Sequence, residues 1–251
     1  MNDHLTRDDS ASGPSPRHPQ QTSDTPQPLA LGLSDTVLLV TAAGYLDGFT
    51  WVGHGHVFSN NMTGNVVLLG VDLVARSWAA PVSHLLPILA FFLGVVAAQA
   101  IRSRAALKAM RLTSLAVLGV EIAALLVLGF LPGGTPSFCF TFSIAFVAAA
   151  QVETFRRVDG ESFNSTFLTG DLRTLSEGLF NWFSGKRTAQ TRIRIRDFSL
   201  ICLVYLAGAA GGGFGVSRFG NRSLWLAVVL LLVVLLRLWV TEGNDSRAPA
   251  S

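Results

Sequence analysis

Residues 63–75 read TGNVVLLGVDLVA, a mainly apolar run of 13 residues opened by Thr-Gly-Asn. At 1.5 Å per residue such a helix rises about 20 Å, against a hydrocarbon core of about 30 Å. Whether this run crosses a bilayer decides the topology of everything around it. A second run of the same kind occupies 168–184. There Leu168, Leu172, Leu175, Leu179 and Phe183 share one helical face, and Asp171, Thr174, Glu177 and Asn181 share the other. It is too polar to cross lipid alone and suits a half-buried or re-entrant helix.

Around these two runs lie six longer ones, at 33–53, 84–101, 112–131, 137–155, 198–216 and 222–240. Each comes near the ~20 mainly apolar residues that a transmembrane helix needs. Of the 251 residues, 50% are hydrophobic and 14% charged. A soluble domain carries roughly 25% charged residues. The mean hydropathy is +0.46 even with a polar N-terminus included. The sequence therefore predicts an all-α, polytopic membrane helix bundle: about six spanning helices plus two short re-entrant or interfacial ones.

The domain plan follows from composition. Residues 1–30 are rich in Ser, Asp, Gln and Pro and predict a disordered cytoplasmic tail. They lack the basic and cleavable apolar regions of a secretory signal, so the run from Leu31 is expected to act as an uncleaved insertion signal. Residues 31–241 form the transmembrane domain, with halves at 31–131 and 137–241, and 242–251 form a polar C-terminal tail.

Charge orients the spans. With both short runs re-entrant, one face collects eleven basic residues, from 102–111, Arg156, Arg157 and 186–196, and the other holds Arg76, Arg218 and Arg222. With all eight runs spanning, the split falls to eight against six. The positive-inside rule favours six spans in the cell inner (plasma) membrane, with both termini cytoplasmic. The net charge of +3 sits near span ends, which speaks to orientation and not to nucleic acid. Each half then has three spans, so the second is inverted relative to the first.

An offset of 106 residues aligns the two halves without a gap. Phe49 meets Phe155, Val52 meets Val158, Ser59 meets Ser165, and Thr63, Gly64 and Leu69 meet Thr169, Gly170 and Leu175. Those are six identities in the 27 positions 44–70. Asp47 falls opposite Glu153. An acid, a Thr-Gly and a following short helix recur together, as expected of a duplication, and inverted repeats with interrupted helices are a recurrent plan of secondary transporters.

The chemistry is expected where the short helices start. Thr63, Gly64 and Asn65, with Thr169, Gly170 and Asp171, offer Thr as an N-cap and Gly for close approach. The first N–H groups of each helix are free to bind an anion or a carboxylate, and inverted symmetry points the two starts at one another near the midplane. Asn60 and Asn61 lead into the first helix, Asn164 and Thr166 into the second, and supply hydrogen bonds for unwound backbone. Simple capping of two re-entrant helices is the competing account. Asp47 and Glu121 lie within spans, where an acid is costly and is functional by default. Together with Glu153 they are the candidates for proton or cation coupling. Asp47 also reads as a bracket for the neighbouring loop, and Glu153 as an interfacial ion pair with Arg156 and Arg157. His54 and His56 make a poor metal site, no cofactor motif is present, and Cys139 and Cys202 read as small apolar residues. The GAAGGGFG run at 208–215 reads as tight helix packing. No triad or P-loop is visible, so an enzyme is not expected.

The stretch Ala43-Gly44-Tyr45-Leu46-Asp47, then Phe58 and Asn61-Met62-Thr63-Gly64-Asn65, resembles the YoaK-like family of bacterial membrane proteins, a domain of unknown function. The later Ala145-Phe146 and Phe167-Leu168-Thr169-Gly170 resemble it too. The resemblance covers roughly 33–240 and implies a bacterial inner-membrane protein, without a substrate. In the second half Asp171 and Arg173 stand where the first half has Asn65 and an apolar residue.

The leading expectation is a small secondary transporter or permease, with the bilayer and a small-molecule or ion substrate as partners and a homo-oligomer left open. The alternative is a scaffold or sensor, which calls for a dry, packed interior between the short helices; transport calls for a polar cavity. A membrane-embedded enzyme comes third.

Overall fold

The computed structural model describes residues 31–75, 79–104, 107–155, 157–158, 161–162 and 168–245. The N-terminal tail, Asn164 and Thr166 lie outside the described residues. The chain forms α1 (Leu33–Gly53), α2 (Met62–Val74), α3 (Ala79–Arg104), α4 (Leu107–Phe130), α5 (Ser137–Thr154), α6 (Leu168–Phe183), α7 (Ala189–Phe219) and α8 (Leu224–Asp245). A two-residue antiparallel ladder joins Arg157–Val158 to Glu161–Ser162 between α5 and α6.

Most bounds agree with the sequence to within a few residues; two do not. α7 starts at Ala189, nine residues before its apolar part. The Thr188 hydroxyl accepts from the Thr191 N–H and starts the helix there, among Arg192, Arg194 and Arg196. α8 continues to Asp245, into the stretch expected to be tail.

Among the described residues, four helical stretches are long and apolar enough to cross a membrane: Val82–Ile101, Leu112–Phe130, Ser137–Thr154 and Ala189–Val240. The last holds both α7 and α8. They are separated by a 3-10 turn that opens at Gly220, whose φ of 59° favours glycine. α1 has the length but carries Asp35 and Asp47, and it is the central helix, packed on α5, α7 and α8. Its Leu46 and Phe49 join Leu118, Leu125, Phe140, Ile144, Leu224 and Leu231 in the main core. Outward-facing Phe92, Leu203, Phe214, Val229 and Leu236 give the apolar exterior that a bilayer requires.

The contacts fix the helix directions. Along α1 and α7, Gly44 meets Tyr205 and Ala209, Gly48 meets Ala209, and Gly53 meets Val216. The pairs advance together, so α1 and α7 are parallel. α3 and α5 are parallel too, since Gly94 abuts Phe146 and Gln99 bonds Glu153. α8 runs against α1. Near its start the Ser223 carbonyl accepts from the Tyr45 hydroxyl at 2.7 Å, and near its end Arg237 pairs with Asp35 at 2.6 Å. α4 ends where α8 begins, with Gly129 against Trp225, and returns into α5 through a short turn. Thus α1, α4 and α7 run one way, and α3, α5 and α8 the other.

Candidate functional site

The chain does not continue outward after α1. Gly55 and His56 take positive φ values of 84° and 57°, and the backbone turns back on itself. Phe58 then stacks on Trp51 at 4.6 Å. The N–H groups of Ser59 and Asn60 donate to Asp47 Oδ1 at 2.9 and 2.7 Å, and the Ser59 hydroxyl donates to the same oxygen. The Asn60 amide donates to the Ala43 carbonyl at 3.2 Å. Ala43 lies ten residues from either end of α1, about 15 Å along the axis. Residues 59–60 are therefore level with the middle of α1, and α2 starts at that depth.

Each donor satisfied here is a backbone or amide group that would be costly to leave bare at such depth. Asn65, fully buried, brackets the loop: its amide donates to the Phe58 carbonyl at 2.7 Å and its oxygen accepts from the Phe58 N–H at 3.0 Å. The N-cap of α2 is Asn61 and not Thr63; the Asn61 side chain accepts from the Gly64 N–H at 3.2 Å. The Met62 and Asn65 N–H groups are also taken, by the carbonyls of Asn60 and Asn61. This corrects the anion expectation for α2, because most of its first-turn donors are already used.

α6 starts at a matching depth. Its middle residue Gly178 packs against Ile195 near the start of α7, while its first turn reaches Tyr205, halfway along α7. Leu168 and Thr169 from α6 line one cavity with Asn61, Thr63 and Gly64 from the start of α2. The cavity measures about 530 Å³. Trp51, Phe58 and Tyr205 supply aromatic walls, and Val67, Leu68 and Leu172 the aliphatic ones.

The expected site residues divide accordingly. Asn61, Thr63, Gly64 and Thr169 line the cavity. Asn60 and Asn65 do not; they are buried fasteners of the loop. Gly170 is exposed and Asp171 half-buried, and neither is in the lining. Asp47 is buried and meets the cavity at one remove, through the Tyr205 hydroxyl that donates to its Oδ2 at 2.6 Å.

Glu153 is buried, and it accepts from the Gln99 amide at 2.5 Å. Arg156 lies outside the described residues. Shifting Asp47 forward and Tyr205 back by the same 106 residues lands on Glu153 and Gln99, so the two acid–donor pairs correspond. Tyr205, Trp51 and Phe58 were not expected at the site. The repeat offset carries a signal for Tyr205, because the position equivalent to it in the first half is Gln99, a polar residue within a span.

Glu121 sits apart, in α4, with 1% exposure and Oε2 without a hydrogen-bond partner. A carboxyl that holds nothing is not a structural asset. Glu121→Leu, close in volume, is expected to leave the thermal midpoint in detergent unchanged or higher. A drop of several degrees would mean that the acid is fastened within the core. His84 pairs with Asp72 at 3.3 Å and ties α2 to α3. Among the described residues no three His, Cys, Asp or Glu gather as a metal site.

The profile of a family described as "Protein of unknown function (DUF1275)" matches residues 36–237, which runs from the first turn of α1 into α8. The chain belongs to the DUF1275 family. Within it, the UPF0700 transmembrane protein YoaK of Bacillus subtilis (strain 168) is 25% identical over 203 residues, covering 79% of this chain and 90% of the relative. The matched stretch includes both short helices, and the word transmembrane in the relative's name agrees with the apolar exterior of this chain. No solved structure matches the chain.

Proposed function

We propose that this DUF1275 chain is a small secondary transporter, a permease whose substrate site is the cavity between the starts of α2 and α6. One observation carries the reading: two short helices from different halves of the chain begin at mid-depth and line the same 530 Å³ space. That volume lies in the range of small-molecule sites. A scaffold calls for a dry, packed contact there and transport for a polar cavity; the space is open but mostly apolar, so its openness and its few polar groups are what support transport.

Among the described residues the lining includes no charged side chain. Its polar groups are Asn61, Thr63, Thr169 and the Tyr205 hydroxyl, set among aromatic and aliphatic walls. This favours an uncharged, largely apolar solute with one or two polar handles. Asp47 accepts a hydrogen bond from the lining residue Tyr205 and is the first candidate for proton or cation coupling, with Glu153 and Glu121 as further candidates. The matched Asp47–Tyr205 and Glu153–Gln99 pairs, with the opposed directions of α1 and α5, support an inverted duplication in which α2 and α6 are re-entrant.

Two measurements test this. In proteoliposomes under an imposed proton gradient, uncharged aromatic amides and their carboxylate counterparts are supplied as probes. The amides accumulate above the external concentration, the carboxylates do not, and Thr169→Trp, which fills the cavity, stops the accumulation. Failure of every probe to accumulate above empty liposomes would remove the transporter reading. The orientation, with both termini cytoplasmic, follows from the basic residues. Single cysteines at 80 and 190 are then labelled from opposite faces; labelling from one face rejects the re-entrant assignment of a short helix.

A further inference from the structure

The cavity between the starts of α2 and α6 is bordered by two apolar stripes. Val67, Val71 and Val74 share one face of α2 and are 60%, 59% and 85% exposed. Leu172, Leu179 and Phe183 share one face of α6 and are exposed as well. Val67 and Leu172 also belong to the cavity lining, so each stripe begins at the cavity and runs away from it. α2 packs mainly on α3, and α6 on α7. Thr63 and Thr169, at the two helix starts, stay exposed, so the cavity is open between the stripes. The charged groups of the two helices lie elsewhere. Asp72 pairs with His84 of α3, Arg173 pairs with Glu177, and Asp171 is outside the lining.

α2 begins level with the middle of α1, which sets this opening at the depth of the hydrocarbon. Water does not readily fill a path walled by valine and leucine, because such constrictions dewet. Yet the opening presents polar groups. The Thr63 and Thr169 hydroxyls and the Asn61 amide nitrogen have no hydrogen-bond partner among the described residues. A hydroxyl or amide left bare in an apolar medium is costly. A ligand that brings its own polar group into the cavity satisfies all three.

We infer that the α2–α6 cavity is loaded from within the bilayer, and that its substrate class is an uncharged amphiphile. Its apolar body partitions into lipid and passes between the stripes; a carbonyl or amide head reaches Thr63, Thr169 and Asn61. This inference rests on the permease reading of the same cavity and adds the route and the amphiphilic form of the solute. Charged solutes are rejected first by the lipid and then by the lining.

Two photoreactive probes with one azidobenzamide head test the route in proteoliposomes. One carries an N-dodecyl chain, whose transfer into lipid confines it to the bilayer. The other carries an N-sulfoethyl group, which keeps it in water. Peptide mapping after illumination finds the dodecyl probe on 58–64 and 168–172 and the sulfonate on neither. Val67→Trp fills the opening and removes most of that labelling. Val74→Trp, farther along the same stripe, leaves it in place, and both variants stay monodisperse. Equal loss in the two variants, or dodecyl label spread evenly over outward residues such as Phe92 and Phe214, overturns the proposal. So does labelling by the sulfonate, which places the entrance in water. A Val67→Cys cross-link between two copies, which puts protein over the opening, overturns it too. The permease reading has a separate readout, the accumulation of small amides. Accumulation without dodecyl labelling rejects the lateral route and keeps the permease. Dodecyl labelling without accumulation keeps the bilayer-loaded site and rejects the permease.

Discussion

Gly212→Ala loses most of the folded protein, whereas its neighbour Gly211→Ala does not. An added Cβ at Gly212 lies 1.9 Å from the Tyr45 carbonyl oxygen and 2.9 Å from the Phe49 nitrogen. Both are backbone atoms of α1, so no side chain can swing aside. At Gly211 the nearest atoms are in the Tyr45 ring at 3.7 Å, an ordinary contact. Overpacking typically costs about 1–3 kcal/mol, and more where backbone must move. Separating α1 from α7 also stretches the Tyr45–Ser223 and Asp47–Tyr205 hydrogen bonds. The sum approaches the ~5–15 kcal/mol of a typical native state. At Gly211 the gain in helix propensity, roughly 0.5–1 kcal/mol, acts in the opposite direction. Yield of monodisperse protein and thermal midpoint in detergent read both variants; equal tolerance of the two would refute the close α1–α7 packing.

Asp47 gives the second large effect, and it depends on what replaces the acid. In Asp47→Ala, the Ser59 N–H and hydroxyl, the Asn60 N–H and the Tyr205 hydroxyl all lose their acceptor. At about 1–3 kcal/mol for each buried group left unsatisfied, the loop between α1 and α2 cannot hold its place. Asp47→Ala therefore fails to give folded protein. Asp47→Asn keeps the oxygen that serves Ser59 and Asn60, and its amide can donate to the Tyr205 oxygen. It folds with a midpoint near wild type but cannot exchange a proton. Gradient-driven accumulation of the amide probes disappears in this variant. Wild-type accumulation in Asp47→Asn would confine Asp47 to fastening the loop.

Much of this was legible in the chain because lipid imposes length and polarity rules that a sequence must obey. α2 stood out because 13 residues cannot reach across and α6 because its polar face cannot meet lipid, and their shared Thr-Gly starts pointed to the cavity. The role of each polar residue was less legible. Asn60, Asn61 and Asn65 look alike in sequence, yet one fastens the loop to α1, one caps α2 and one clasps Phe58. Those assignments depend on where the unwound backbone presents its N–H and C=O groups, which no periodicity encodes. The aromatic walls were hidden for a related reason. Trp51 and Phe58 meet only because the chain doubles back at Gly55 and His56. The glycines at 208–215 were read as packing residues, but their partner could not be named, because α1 lies more than 150 residues earlier in the chain.

That separation bears on how the protein is made. α1 is made long before α7, yet its glycine seam waits for α7, and the Asp47 carboxylate waits for the Tyr205 hydroxyl. Until the ribosome has delivered the second half, α1 has a bare seam and an acid short of one donor. The first half is therefore not a folding unit. A nascent chain stopped after α4 exposes α1 to whatever guards unfinished helices in the bilayer, and quality control has a clear signal to read: a chain with α1 but not α7.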